Sequence, residues 1–540
     1  MQKFDAVIVG AGFAGLYMLH RLRQQGMTAR VIEAGSGVGG TWFWNRYPGA
    51  RCDVNSLEYS YSFDEELQQD WRWSERFATQ PEILAYANHV ADRFDLRRDM
   101  QMETRVTAAA WDEQASVWTI RTDRGDAMQA RFCIMASGCL SAARAPALPG
   151  MESFQGRVYH TGEWPHEPVD FTGQRVGLIG TGSSGIQTAP VVAQQAATLT
   201  VFQRTPNFSI PARNEPMDPA REQAWKARYA EFRAAARNTA SGILYEYNET
   251  SALDVPEDDR RRMFESRWET GGVNFMRSFN DLMLNEASND TAAAFVRDKI
   301  AATVRDPAIA QRLMPHDHPI GTKRICIDTG YYDTFNRDNV RLVDIRATPI
   351  EALTPTGLRT STEDFALDSI IFATGFDAMT GALAKIDITG RSGLRLLDKW
   401  SAGPRTYLGL MVAGFPNLFT ITGPGSPSTL SNMVVTIEQH VEWIADCIAH
   451  MGTHGLAVIE ADTAAEDAWV SHVNEVAAGT LFPRANSWYM GANIPGKPRI
   501  FMPYVGGFGV YRAKCQEIVE AGYTGFRLSA VTHAAREYAL

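Results

Sequence analysis

The chain has 540 residues, 45% of them hydrophobic and 21% charged, with a formal net charge of −10. That length allows two or three domains with cores of their own, and the composition is that of an ordinary soluble globular protein. The acidic balance, with no long block of one sign, argues against nucleic acid or an anionic membrane as the main partner, and no apolar run reaches the roughly 18 residues that a bilayer span needs.

The first predicted element is a buried parallel strand, Ala6-Val7-Ile8-Val9, a short apolar run ending at a glycine. The turn Gly10-Ala11-Gly12-Phe13-Ala14-Gly15 follows, then helical spacing from Leu16 to Leu22. Ala29-Arg30-Val31-Ile32-Glu33 reads as a second strand ending in an acid, which completes a βαβ unit. The chain enters its first strand without a charged and apolar leader, so no signal peptide is expected. The six cysteines, Cys52, Cys133, Cys139, Cys326, Cys447 and Cys515, contain no CxxC pair. A zinc ribbon and a redox dithiol are therefore not expected, and a reduced, cytoplasmic protein is.

Further along, Cys133-Ile134-Met135 runs into Ala136-Ser137-Gly138, and Ile370-Ile371-Phe372 runs into Ala373-Thr374-Gly375. The small, flexible ends read as crossings between domains, although ordinary strand ends fit these residues as well. The βαβ pattern returns at Arg175-Val176-Gly177-Leu178-Ile179, through the turn Gly180-Thr181-Gly182-Ser183-Ser184-Gly185 and a helix, to the strand Leu199-Thr200-Val201-Phe202. Residues from about 215 to 315 are rich in Ala, Arg and Glu and read as helical; the C-terminal third returns to mixed structure. The expected fold is α/β, with two Rossmann-like dinucleotide-binding domains and a helical insertion. The expected boundaries are 1–140 with 381–540 for the first domain, 141–210 with 325–380 for the second, and 211–324 for the insertion.

Glycines in such turns let the backbone approach a pyrophosphate, which then sits at a helix N-terminus where free N–H groups favour anions. Glu33 falls 18 residues after Gly15, where an acid can accept hydrogen bonds from a ribose diol, so the first site is expected to hold FAD. At the second site the same spacing reaches Gln203, followed by Arg204 and Thr205. An acid there would repel a 2′-phosphate, whereas a guanidinium and a hydroxyl bind one, so NADPH is expected. A disulfide reductase would share both sites but needs a cysteine pair that is missing, which leaves oxygen chemistry as the best use of the flavin. His316 and His318 could ligate a metal, but no third ligand suggests itself, and Ser426 lacks the GxSxG elbow of a hydrolase.

Between the two turns, Phe154, Gly156, His160, Trp164 and Pro165 match the pattern FxGxxxHxxxW[PD]. In this the chain resembles the flavin-dependent Baeyer–Villiger monooxygenases; Phe or Tyr in place of Trp164 would mark the related flavin-containing and N-hydroxylating enzymes. The resemblance continues through the run from Gly39 to Asp53, through Gly321-Thr322-Lys323-Arg324, and through Ala402 to Leu410 and Ala492 to Arg499, and so covers nearly the whole chain.

It implies that NADPH reduces FAD, that O2 then gives a C4a-peroxyflavin, and that this attacks a ketone. The resulting Criegee adduct collapses to an ester or lactone and water. It assigns Arg324 to stabilising the anionic peroxide and developing oxyanion, and Asp53 to orienting it. It assigns Lys323, with Arg204 and Thr205, to the 2′-phosphate, Gln187 to the same nucleotide, and Trp488 to retained NADP⁺. Phe13, Gly40, Thr41, Trp42, Tyr59, Val106 and Met433 correspond to flavin contacts. Ser428, Thr429, Leu430 and Cys139 correspond to the substrate pocket; Thr429 and Cys139 differ from a similar member of the family, and the difference at Cys139 leaves the substrate range open. His160 is expected to couple the domains. The expected partners are O2 and an aryl, cyclic or linear ketone, with sulfoxidation as a side activity and a monomer or weak oligomer as the state. Two other readings stay in view: a heteroatom oxygenase acting on amines or sulfides, and a nucleotide-binding sensor without turnover, against which the Lys323-Arg324 pair speaks.

Overall fold

Two sheets, each with a glycine turn following one of its inner strands, organise the computed structural model, which describes residues 1–144 and 146–530. In the first sheet Gln2–Val9 lies between Ala29–Ile32 and Ala127–Met135, both parallel to it. The stretch from Ala6 to Val9 is flanked on both edges, and Ala6, Val7 and Ile8 are fully buried. Covered faces explain why this strand is apolar throughout rather than alternating. The antiparallel strands Val106–Asp112 and Val117–Thr122 extend the sheet, and Asp387–Thr389 and Leu418–Thr420 join it from the far end of the chain.

The second sheet has five parallel strands in the order Val340–Asp344, Thr198–Gln203, Arg175–Ile179, Ser369–Phe372, Arg157–His160. The two small tripeptides occupy equivalent places. Ala136 directly follows the strand beside the first glycine turn, and Ala373 directly follows the strand beside the second. Gly10 and Gly180 have φ of +107° and +111°, and a Cβ on either would run into the carbonyl of Ala136 or Ala373. Only glycine meets both demands, a left-handed backbone and a close neighbour.

Residues 211–324 contribute five helices, Pro219–Lys226, Tyr229–Ala236, Glu257–Thr270, Glu286–Thr303 and Pro307–Leu313. Asp218, Asn285 and Asp306 cap three of them by accepting from backbone N–H groups, as short polar residues do at helix starts. The segment leaves and re-enters the second domain through Ser209–Pro211, paired in parallel with Cys326–Asp328. It also rests on the first domain: Arg233 donates to Glu58 O and Ser60 Oγ, and Leu244 N donates to Glu58 Oε1 at 2.7 Å. Of the stretches expected to form the two nucleotide domains, Ala145 and 531–540 lie outside the described residues. No helix among the described residues is long and apolar enough to cross a membrane.

Candidate active site

Both glycine turns deliver an uncapped helix. Phe13–Gln24 starts at Gly12 and Ser183–Gln195 starts at Gly182; neither has a side-chain cap or an acid in its first turn. Their leading N–H groups are therefore left for an anion. A Cβ on Gly182 would meet nothing within 4 Å, whereas one on Gly12 would come within 3.3 Å of Gly40 Cα and narrow the gap between the two segments. Gly15 and Gly185 serve packing instead. A Cβ on either would collide with the carbonyl of Gly10 or Gly180.

Glu33 is buried at the end of its strand, where Oε2 accepts from Ala11 N and Oε1 from Gly35 N, both at 2.7 Å. Burial raises its pKa, and the backbone donors Ala11 and Gly35 pull it back. Gln203, at the matching position of the second unit, is buried and turned away, donating from Nε2 to Arg312 O at 2.7 Å. Arg204 and Thr205 take the cavity side.

One cavity of about 720 Å³ runs along both turns. Every residue expected to hold a cofactor lines it except Gly15 and Gly185, and Cys139 and Thr429 line it too. Ser428 and Leu430, expected in the substrate pocket, do not. The turn Ser428–Leu430 presents its middle residue; Ser428 is fully buried with its Oγ 3.7 Å from Met379 Sδ, and Leu430 packs in the cluster of Phe482 and Tyr489. The two halves are held together by the loop before Asp53. Tyr47 OH donates to Gln187 Oε1 at 2.8 Å, and Gln187 Nε2 donates to Arg51 O at 3.2 Å.

Arg324 and Asp53 meet at the cavity wall. Nε donates to Oδ2 at 2.8 Å and Nη2 to Oδ1 at 2.9 Å, a two-pronged contact, while Nη1 donates to Thr429 O at 2.6 Å. Tyr489 is buried close to the same guanidinium. Burial opposes the charge on Arg324, but Asp53 and Tyr489 outweigh it and raise its pKa above the ordinary arginine value. It stays a cation and does not act as an acid.

Lys323, the residue before Arg324, lines the same cavity. Its pKa is lowered by burial and by Arg204 and Arg346, with Asp317 working the other way. His318, weighed as a metal ligand, instead places Nδ1 2.7 Å from Asp317 Oδ1.

The signature residues lie away from the cavity lining. His160 Nδ1 accepts from Gly162 N at 3.0 Å, and its Nε2 donates to Arg144 O at 3.0 Å. Thr374 Oγ1 donates to the same carbonyl at 2.7 Å. His160 thus joins the segment that follows the first sheet's Ala127–Met135, at Arg144, to the residues just after Ser369–Phe372, at Thr374. Trp164 stacks on Tyr159 with centroids 5.1 Å apart. A Cβ on Gly156 would collide with Asp368 O and the Phe154 ring, so Phe154 and Gly156 form a packed corner. Pro165 follows Trp164 where the chain leaves this corner.

A family model described as pyridine nucleotide-disulphide oxidoreductase matches residues 7–240. A Baeyer-Villiger monooxygenase of Pseudooceanicola batsensis is 44% identical over 525 residues, covering 96% of this chain and 95% of its own. The chain belongs to the Baeyer–Villiger monooxygenase family. A phenazine N-monooxygenase of Lysobacter antibioticus is 41% identical over 529 residues, 97% of both chains. The solved structure of an oxidized steroid monooxygenase bound to NADP is 55% identical, with a TM-score of 0.95 over 98% of this chain and 100% of that one. OTEMO in complex with FAD and NADP is 42% identical, with a TM-score of 0.94 over 97% and 99%. All six cysteines of this monooxygenase are buried and unpaired, so what it shares with disulphide oxidoreductases is the nucleotide-binding framework rather than their redox pair.

Its cofactors are FAD and NADP(H). The first turn fits FAD: an uncapped helix, a glycine pair that opens the gap, and a carboxylate for the ribose. The second fits NADP: an uncapped helix beside Arg204, Thr205 and Lys323. Residues that the motif reading did not single out also shape the site. Tyr489 is adjacent to Trp488 in sequence, but only the fold brings it to Arg324. Arg144 lines the cavity and donates to Asn493 O in the segment that carries Trp488.

Proposed function

We propose that this enzyme converts ketones to esters or lactones on the cavity face of Arg324, consuming NADPH, a proton and O2 and releasing NADP⁺ and water. The observation that carries this reading is the Arg324–Asp53 pair in a cavity shared by both nucleotide turns. Bound FAD, reduced by NADPH, supplies the activated oxygen. Arg324 provides a fixed positive charge where negative charge gathers on oxygen, and such preorganised charge in a dry site is a large catalytic term. Asp53 and Thr429 O hold the guanidinium in place. Glu33 would receive the adenosine ribose of FAD, and Arg204, Thr205 and Lys323 the 2′-phosphate. Trp488, which lines the cavity, would contact the retained NADP⁺. Cys139 and Thr429 are the chain's contribution to the substrate wall.

The working division is an FAD domain, 1–140 with 381–540; an NADP domain, 141–210 with 325–380; and the insertion, 211–324. His160 couples the first two. We place the enzyme in the cytoplasm as a monomer or weak oligomer acting on a small ketone. A second reading, oxygenation of nitrogen or sulfur, draws support from the phenazine N-monooxygenase relative; we expect sulfoxidation as a side activity. The deciding experiment offers aryl, cyclic, linear and steroid ketones, a thioether and an aromatic amine, and scores products rather than NADPH loss. Esters or lactones from at least one ketone class support the first reading. N- or S-oxides with no ester from any ketone would replace it with the second.

A further inference from the structure

The strand Val340–Asp344 runs beside Thr198–Gln203, with Asp344 opposite Gln203. The residues just after Asp344 therefore lie beside Arg204 and Thr205. Two hydrogen bonds from backbone N–H groups fix this corner: Ile345 N donates to Gln203 O and Arg346 N to the Asp344 carboxylate oxygen Oδ1, both at 2.9 Å. Ile345 lines the cavity. Arg346 then reaches back with one guanidinium nitrogen. Its Nη2 donates to Thr205 Oγ1 and to Asp317 Oδ2, both at 2.9 Å.

This contact matters for what Thr205 can do. A hydroxyl both donates and accepts. With Arg346 donating to its oxygen, Thr205 is left to donate its own proton to a ligand. Charge points the same way. Arg204, Lys323 and Arg346 are gathered here; Asp317 pairs with the Arg346 guanidinium and feels the charge of Lys323, and Asp344 accepts from Arg346 N. Arg346, His318 and Lys323 together outweigh burial and pull Asp317 down to about 2, so it is ionised. Burial lowers the His318 pKa, so that ring adds no charge near neutral pH. Three cations against the carboxylates of Asp317 and Asp344 still leave a net positive charge, which suits a phosphate monoester carrying about −1.5 to −2 at pH 7.

We propose that Arg346 is a third cation of the 2′-phosphate site and the positioning residue that makes Thr205 a donor, so that it sets the preference for NADP over NAD. The inference rests on the second glycine turn being the NADP site. Arg346 is more than half exposed, its side chain at 57%, so its replacement leaves the core intact.

The test is titration calorimetry on the FAD-loaded enzyme with two fragments, adenosine 2′,5′-bisphosphate and 5′-AMP, which differ in the 2′-phosphate. Arg346→Ala is expected to weaken the bisphosphate about tenfold, the scale of one charge-assisted hydrogen bond. It leaves 5′-AMP unchanged and makes the bisphosphate affinity less sensitive to salt. Arg346→Lys keeps the charge without the fork and is expected to fall between. An unchanged preference for the bisphosphate in Arg346→Ala, or an equal loss for both fragments, would overturn the role given to Arg346. A wild-type enzyme with no preference would overturn the NADP-site reading on which it rests.

Discussion

Replacing Arg324 by alanine tests the centre of the mechanism. The guanidinium is held by Asp53 through two hydrogen bonds and by Thr429 O through a third, which places its charge at the cavity wall. A unit charge about 4 Å from a developing oxyanion contributes about 4 kcal/mol at an effective dielectric near 20. At about 1.4 kcal/mol per decade of rate, its loss costs about a thousandfold. Arg324→Ala also strands Asp53, whose side chain is only 23% exposed, so some stability is lost with the charge. The double variant Asp53→Asn/Arg324→Ala removes that complication. Arg324→Lys keeps a charge but cannot reach both Asp53 oxygens and Thr429 O, and intermediate activity is expected. The assay is ester formation at saturating ketone, measured by chromatography alongside NADPH consumption. Ester formation should collapse in both alanine variants while each still binds FAD. Ester formed by Arg324→Ala at the wild-type rate would refute the reasoning.

Three further outcomes follow from the geometry. Gly15→Ala drives a methyl into Gly10 O, and Gly10 cannot yield because Ala136 O lies 2.6 Å from where its own Cβ would sit; the variant should be recovered without flavin, whereas Gly452→Ala, with open space around it, should keep its flavin absorbance. Glu33→Ala leaves Ala11 N–H and Gly35 N–H without their acceptor, at about 1–3 kcal/mol each, so both flavin content and melting temperature should fall; a fully loaded variant of wild-type stability would contradict the placement of Glu33.

The third outcome concerns acid. His440 is buried and its pKa is lowered by burial to about 3. Its Nδ1 accepts from Thr422 N, its Nε2 pairs with Tyr511 OH, and Tyr511 OH donates to Leu408 O, an arrangement that requires the neutral ring. The unfolded chain takes up this proton near pH 6.5 and the folded one only near 3. Its contribution is therefore fully present above about pH 6.5 and is lost as pH falls toward 3, at up to about 1.4 kcal/mol per pH unit. Denaturant midpoints measured across that range should show a shallower slope in His440→Gln. Identical slopes would show that His440 does not carry the effect.

What the sequence determined by itself is whatever depends on short-range backbone demands. Gly10, Gly15, Gly180 and Gly185 are legible because each must accept a left-handed backbone or a carbonyl where a side chain would stand. The acid at Glu33 and its absence at Gln203 are legible because strand, turn and helix keep a fixed spacing. The motif from Phe154 to Pro165 is legible as a pattern, although its residues pack a corner and, through His160, join Arg144 to Thr374 rather than line the cavity. What only the tertiary structure decided is which distant side chains meet. Arg324 finds Asp53 across 271 residues and Thr429 O across 105, and Arg346 finds Thr205 across 141. Ser428 and Leu430 flank Thr429 in sequence yet face away from the cavity it lines. Such meetings depend on sheet order and on where the chain crosses between domains. These are set by the whole packing of the core, which no local residue pattern encodes.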